Sequence, residues 1–218
     1  MEKYRQYRPA RLQIIGLHYR KSVAELAMMA ILLYAIGIPR LLNIAENFED
    51  LYDRSMHMYG EGSLVVILAE ILILFFFFNP FFSSGLSELL FMEPAWTAGN
   101  ILIDLLVCFQ VLLLPLDIIL LSKCSGYLLL WFMLKLQILV MAGLFYFLLS
   151  MTGNPLIVVM VCFVYFFGNV SARDPSPVYI LIKKTAVEAL YTPAYIILYL
   201  ILMLLLYLLG RMAEKKKR

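Results

Sequence analysis

The chain has 218 residues, of which 63% are apolar and only 15% charged, with a formal net charge of +3. A mean hydropathy of +0.88 excludes a water-soluble fold of this length and predicts an integral membrane protein. The positive charge sits mostly at the two ends, so it reads as a topology signal and not as a nucleic-acid footprint.

Residues Tyr4 to Tyr19 interleave Arg5, Arg8 and Arg11 with Tyr7, Leu12, Ile14, Ile15 and Leu17 at helical spacing. This predicts an amphipathic helix within residues 1–21 that lies in the membrane interface, arginines toward anionic headgroups. The segment is too long and too basic for a cleaved signal, so the apolar run after it is expected to remain in the mature protein. The first span is read as 23–38, stopped by Pro39-Arg40, near the minimum for crossing about 30 Å of hydrocarbon. An acidic outer loop follows over 41–62, with Leu42, Ala45, Glu49 and Tyr52 spaced as a short interfacial helix. The second span, 64–78, ends in four phenylalanines and Asn79-Pro80. The third, 101–121, and the fourth, 127–149, flank a tight turn at Ser122 to Gly126, and Thr152-Gly153-Asn154-Pro155 turns the chain into the fifth, 156–170. Residues 174–190 interleave Ile180, Leu181, Val187 and Leu190 with Lys183, Lys184 and Glu188, which predicts a re-entrant or interfacial helix outside. The sixth span, 194–209, stops at Gly210.

The amino-terminal flank holds Lys3, Arg5, Arg8, Arg11, Arg20 and Lys21, and the carboxy-terminal flank holds Arg211, Lys215, Lys216, Lys217 and Arg218. Six spans put both flanks in the cytoplasm, where the positive-inside rule prefers them. An odd number of spans would expose one strongly basic end. The segment between spans two and three then lies inside, although it carries no lysine or arginine.

That segment has its own pattern. Gly85 frees the backbone after the preceding span, Glu88 favours a helical first turn through the macrodipole, and Pro94 stops the helix. Leu86 to Phe91 would make about two turns. Gly85, Glu88 and Pro94, with Leu86, Leu89 and Leu90 between them, resemble the coupling-helix region of type-2 ABC exporter permeases, and the six-span layout resembles that family over nearly the whole chain. The charged residues that often precede the glycine in that family are here Ser83 and Ser84, and the basic residue often found at the start of its third span is absent at Asn100 and Ile101.

The resemblance implies an all-α integral membrane permease with an amino-terminal elbow helix at 1–21 and a cytoplasmic coupling helix at 84–94. It implies that Gly85, Leu86, Glu88, Leu89, Leu90, Phe91 and Pro94 engage a separate ABC ATPase subunit. It further implies a second copy or a paralogue as partner, and residence as a multi-pass protein of a bacterial inner or plasma membrane. ATP and magnesium would belong to the ATPase: this chain has no glycine-rich phosphate loop followed by Lys-Ser or Lys-Thr, and no cofactor or metal is expected on it.

Glu70, Asp104, Asp117 and Lys135 lie at membrane depth, with Gln137 near them, and an ionisable group there costs several kcal/mol unless it pairs or meets water. Asp117 and Lys135 face each other across the turn near Cys124 and are expected to form a structural ion pair. In the sequence, no lysine or arginine stands at a depth matching Glu70 or Asp104 in a neighbouring span. The phenylalanines Phe75 to Phe78, Phe81 and Phe82 read as bilayer-facing and packing surface. No catalytic set is gathered in the sequence, so an enzyme is not expected. The readings left beside an exporter permease are a membrane accessory or immunity protein acting without ATP and, behind it, an intramembrane lipid-modifying enzyme.

Overall fold

Hydrocarbon offers the backbone no hydrogen-bond partner, so apolar segments of this length satisfy their own N–H and C=O groups by coiling into helices. The computed structural model describes residues 28, 29, 31–83, 97–123, 128–171 and 193–216. Within them a π-helical stretch, Ile31–Gly37, leads into α1 (Ile38–Asn47), α2 (Leu51–Ser83), α3 (Ala98–Lys123), α4 (Leu128–Thr152), α5 (Pro155–Ser171) and α6 (Pro193–Lys216). The expected elbow helix at 1–21, coupling helix at 84–94 and outer segment at 174–190 lie outside the described residues.

Among the described residues, four helices are long and apolar enough to cross a membrane: Asp53–Pro80, Ala98–Lys123, Leu130–Thr152 and Ile196–Lys216. The apolar helix Pro155–Gly168 is shorter, and the 17 residues of α5 rise only about 26 Å.

Several expected boundaries are corrected. The helix does not stop at Pro39-Arg40, since it runs through Pro39 to Asn47. Pro39 falls in the first turn of α1, where a proline's fixed φ is tolerated, and the wider π-helical turn ahead of it makes room for the ring. Arg40, expected at the membrane edge, reaches sideways to Glu61 on α2 at 3.0 Å. The outer loop 41–62 is not a loop: α1 occupies its first part, and α2 begins at Leu51 after a three-residue break. Asp50 Oδ2 accepts the Asp53 N–H at 3.0 Å there, and Arg54 Nε donates to the Phe48 carbonyl at 2.8 Å. α2 does not end at Asn79-Pro80 either; it spans 33 residues, about 50 Å, with Pro80 inside its last turn. α6 continues past Gly210 to Lys216.

The turn at Thr152 to Pro155 is tight, as its composition predicts. Gly153 takes the left-handed φ of 67° that closes α4. Its N–H bonds the Leu149 carbonyl at 2.8 Å. Asn154 then caps α5, its Oδ1 accepting the Leu156 N–H at 3.0 Å, with Pro155 in the first helical position.

α4 is the hub, packed against α2, α3, α5 and α6. Two thirds (67%) of the most apolar window of α2 and of α4 is buried in protein, against 33% for α3 and 17% for α6. The first two are therefore core, and the last two present wide apolar faces outward. α1 runs antiparallel to the start of α2, with Gly37 beside Val65 and Leu41 beside Gly62. Tyr34, just before α1, donates to the Leu112 carbonyl at 2.6 Å, one turn before Pro115 inside α3. The phenylalanine run divides: Phe77 and Phe78 are buried, and Phe78 meets Phe145 of α4 at 6.2 Å between ring centroids. Packing, not lipid exposure, accounts for those two rings.

Candidate functional site

Chain direction brings the first turn of α3 and the last turns of α4 and α6 to one end of the bundle. Gly143 of α4 lies beside Leu206 of α6, and Tyr146 beside Gly210, so α4 and α6 run parallel. Phe78, near the end of α2, touches Phe145, which brings the end of α2 to the same level.

A helix start inside a bundle leaves N–H groups that water does not reach. Here Thr97 is the cap, its hydroxyl accepting the Asn100 N–H at 3.1 Å. The Ala98 N–H goes to Glu214 Oε1 of α6 at 2.9 Å, and Glu214 Oε2 accepts the Tyr146 hydroxyl at 2.6 Å. Glu214 is only 3% exposed, and its carboxylate stands at the positive end of the α3 dipole.

One turn earlier on α6, Arg211 completes the cluster. Its Nη1 donates to Thr97 Oγ1 at 2.8 Å, its Nη2 to Asn100 Oδ1 and to the Tyr207 hydroxyl at 2.9 Å, and its Nε to that hydroxyl at 3.2 Å. The guanidinium also lies 5.4 Å from the Tyr207 ring centroid. Tyr146 is wedged between two glycines. A Cβ on Gly210 would come within 2.6 Å of its ring, and one on Gly99 within 2.8 Å of its hydroxyl oxygen.

None of Thr97, Tyr146, Tyr207, Arg211 or Glu214 is singled out by the sequence. The bonds that join α6 to α3 span 111 to 116 residues and the one that joins it to α4 spans 68, beyond any local spacing rule; only Tyr207 and Arg211 are near in sequence, four apart. The usable signal was Thr97 ahead of an apolar run, a helix cap, together with an arginine and a glutamate three apart at the end of an apolar helix.

At the opposite end, Lys135 Nζ lies 2.7 Å from Asp117 Oδ2, the pairing expected across the turn. Trp131 joins it, donating its indole N–H to Asp117 Oδ1 at 3.0 Å while its ring lies 5.4 Å from the lysine nitrogen. The Lys135 and Asp117 side chains are 14% and 9% exposed, and every charge in the trio meets a partner. This tie holds helices together and offers no reactive group.

Glu70 and Asp104 sit in the middle, 1% and 0% exposed, on α2 and α3, with Gln137 of α4 buried as well. No hydrogen bond reaches either carboxyl oxygen of Glu70 among the described residues. The seven expected ATPase contacts, Gly85, Leu86, Glu88, Leu89, Leu90, Phe91 and Pro94, lie outside the described residues; of the helices that flank them, α3 begins in the polar cluster, and α2 brings Phe78 against Phe145, the neighbour of Tyr146.

No protein-family model matches the chain, and neither a curated protein nor a solved structure does.

Two outcomes follow from these geometries. Gly210→Ala forces a methyl group into the Tyr146 ring and is expected to lower stability by about 1–3 kcal/mol. Placed on a Tyr146→Ala background, the same change should cost much less, a coupling read from unfolding midpoints in detergent. Lys135→Met strands the Asp117 carboxylate and is expected to cost about 3–5 kcal/mol, most of which Asp117→Leu in the same chain should restore.

Proposed function

We propose that this chain is the transmembrane permease subunit of an ATP-driven exporter, and that residues 84–94 receive the motion of a separate ATPase on the cytoplasmic side. The observation that carries the reading is the hydrogen-bonded tie between the last turns of α6 and the first turn of α3. The basic tail containing Lys215, Lys216, Lys217 and Arg218 continues from that end of α6, and the positive-inside rule favours cytoplasm for it. The segment 84–94 enters α3 at the same end, and so shares that side.

The tie also supports a mechanism. Force applied to 84–94 passes into the start of α3, where Thr97, the Ala98 N–H and Asn100 are bonded to α6, and through Glu214 to Tyr146 of α4. Three helices then move as a unit, a rigid-body displacement of the kind that opens and closes membrane passages. A two-turn helix with Leu86, Leu89, Leu90 and Phe91 on it offers apolar surface to a cleft on the ATPase, with Glu88 fixing its orientation. ATP and magnesium stay with that partner, a second copy or a paralogue completes the passage, and the amino terminus lies in the cytoplasm with the carboxy terminus.

The test is capture of the motor. With the tagged chain co-expressed with each ABC ATPase of its host, the wild type is expected to retain one of them through purification. Leu89→Asp with Leu90→Asp should lose it while inserting normally in the membrane. Failure of the wild type to hold any ATPase, or undiminished capture by the double variant, would overturn the reading.

A further inference from the structure

α3, α4 and α6 do not close completely. Between them an open, almost purely apolar groove of about 220 Å³ is lined by Leu102, Ile103 and Leu106 on one side and by Met203, Leu204 and Tyr207 on the other, with Gly143 at its floor. This is below the roughly 300–1,000 Å³ of a site for a drug-sized ligand. It suits part of one alkyl chain.

One end of the groove is charged. The Tyr207 hydroxyl accepts from Arg211, and Leu204, Arg211 and Lys215 follow one another at spacings of seven and four along a single stripe of α6. Lys215 and Lys216 are exposed, and the acidic residue on these turns of α6, Glu214, is committed to Ala98 and Tyr146. An apolar trough ending in excess positive charge at the end of a membrane-length helix matches an amphiphile with an anionic head. A second copy packed two-fold on the same face would bring two such basic clusters together, an unfavourable contact.

We propose that this groove binds an anionic phospholipid, with one acyl chain between Ile103 and Leu204 and the phosphate at Lys215 and Lys216. The proposal uses no residue of 84–94 and does not depend on the exporter reading.

Native mass spectrometry of the full chain, released from detergent with dioleoyl phosphatidylglycerol or dioleoyl phosphatidylcholine added, tests it. The wild type is expected to retain phosphatidylglycerol in preference to phosphatidylcholine. Lys215→Gln with Lys216→Gln should reduce that preference by about fivefold per lysine while leaving phosphatidylcholine retention unchanged. Leu204→Trp, which fills the groove at a position already 55% exposed, should reduce retention of both lipids, and Ile103→Trp on the facing wall should do the same. Equal retention of the two lipids by the wild type, or undiminished retention in both tryptophan variants, overturns the proposal. A lipid-free two-chain species abolished by Leu204→Trp overturns it too and assigns the face to a second copy.

Discussion

A helix that starts inside a bundle, away from water, must find partners for its first N–H groups, and the way α3 solves this sets the arrangement of the rest. The solution comes from α6, the last helix, whose Glu214 carboxylate accepts the Ala98 N–H and whose Arg211 guanidinium donates to the cap hydroxyl of Thr97 and to Asn100 Oδ1. Without that carboxylate the positive end of the α3 dipole would lie buried without a counter-charge. Tyr146 brings α4 into the same network, and the small size of Gly99 and Gly210 lets its ring sit between the two other helices. Removing any one member leaves the others buried with an unmet bond, a situation that costs more than the bond contributes.

The molecule thus has a polar tie at each end and apolar packing between them. At one end Arg211 and Glu214 bind the ends of α3, α4 and α6; at the other Asp117, Lys135 and Trp131 bind α3 to α4. Between the two, Phe77, Phe78, Phe145, Ile67 and Ile71 fill the space around α4. Because both ties involve α3 and α4, this pair is fixed along its length. The outward apolar faces of α5 and α6, with Val164 and Ile201 among their exposed residues, are left for lipid or for another chain. Glu70 stands apart from both ties, a buried carboxyl that no hydrogen bond reaches among the described residues.

Much of this was legible from residue order. The helices α3, α4 and α5 extend to Ala98–Lys123, Leu128–Thr152 and Pro155–Ser171 where the hydropathy predicts 101–121, 127–149 and 156–170. Continuous apolar character with Gly, Pro and Asn only at the turns fixes such boundaries closely. The Asp117–Lys135 pair was legible as well, because its members are 18 residues apart across one turn. Pro39, Pro80 and Gly210 misled, since each signals a helix end in water. Pro39 sits in the first turn of α1 and Pro80 in the last turn of α2, where a missing N–H costs at most one bond, and Gly210 is held in the helix by the Tyr146 ring packed on it and by the bonds that Arg211 and Glu214 make beyond it. The Arg211 and Glu214 network was hidden for a different reason: its ties from α6 to α3 join residues more than a hundred apart, and Thr97, Arg211 and Glu214 each look like an ordinary cap or tail residue alone. The absence of a basic residue at Asn100 likewise gave no hint that Arg211 reaches that position from the other end of the chain.

The account rests on the basic tail and the 84–94 segment sharing one side of the membrane. Labelling with a membrane-impermeant maleimide measures this directly, in a chain whose Cys108, Cys124 and Cys162 are replaced by alanine and which carries Ser87→Cys, Lys217→Cys or Glu49→Cys singly. Ser87→Cys and Lys217→Cys are expected to react only in inverted vesicles and Glu49→Cys only in right-side-out ones. Reaction of Ser87→Cys and Lys217→Cys from opposite sides would contradict the account.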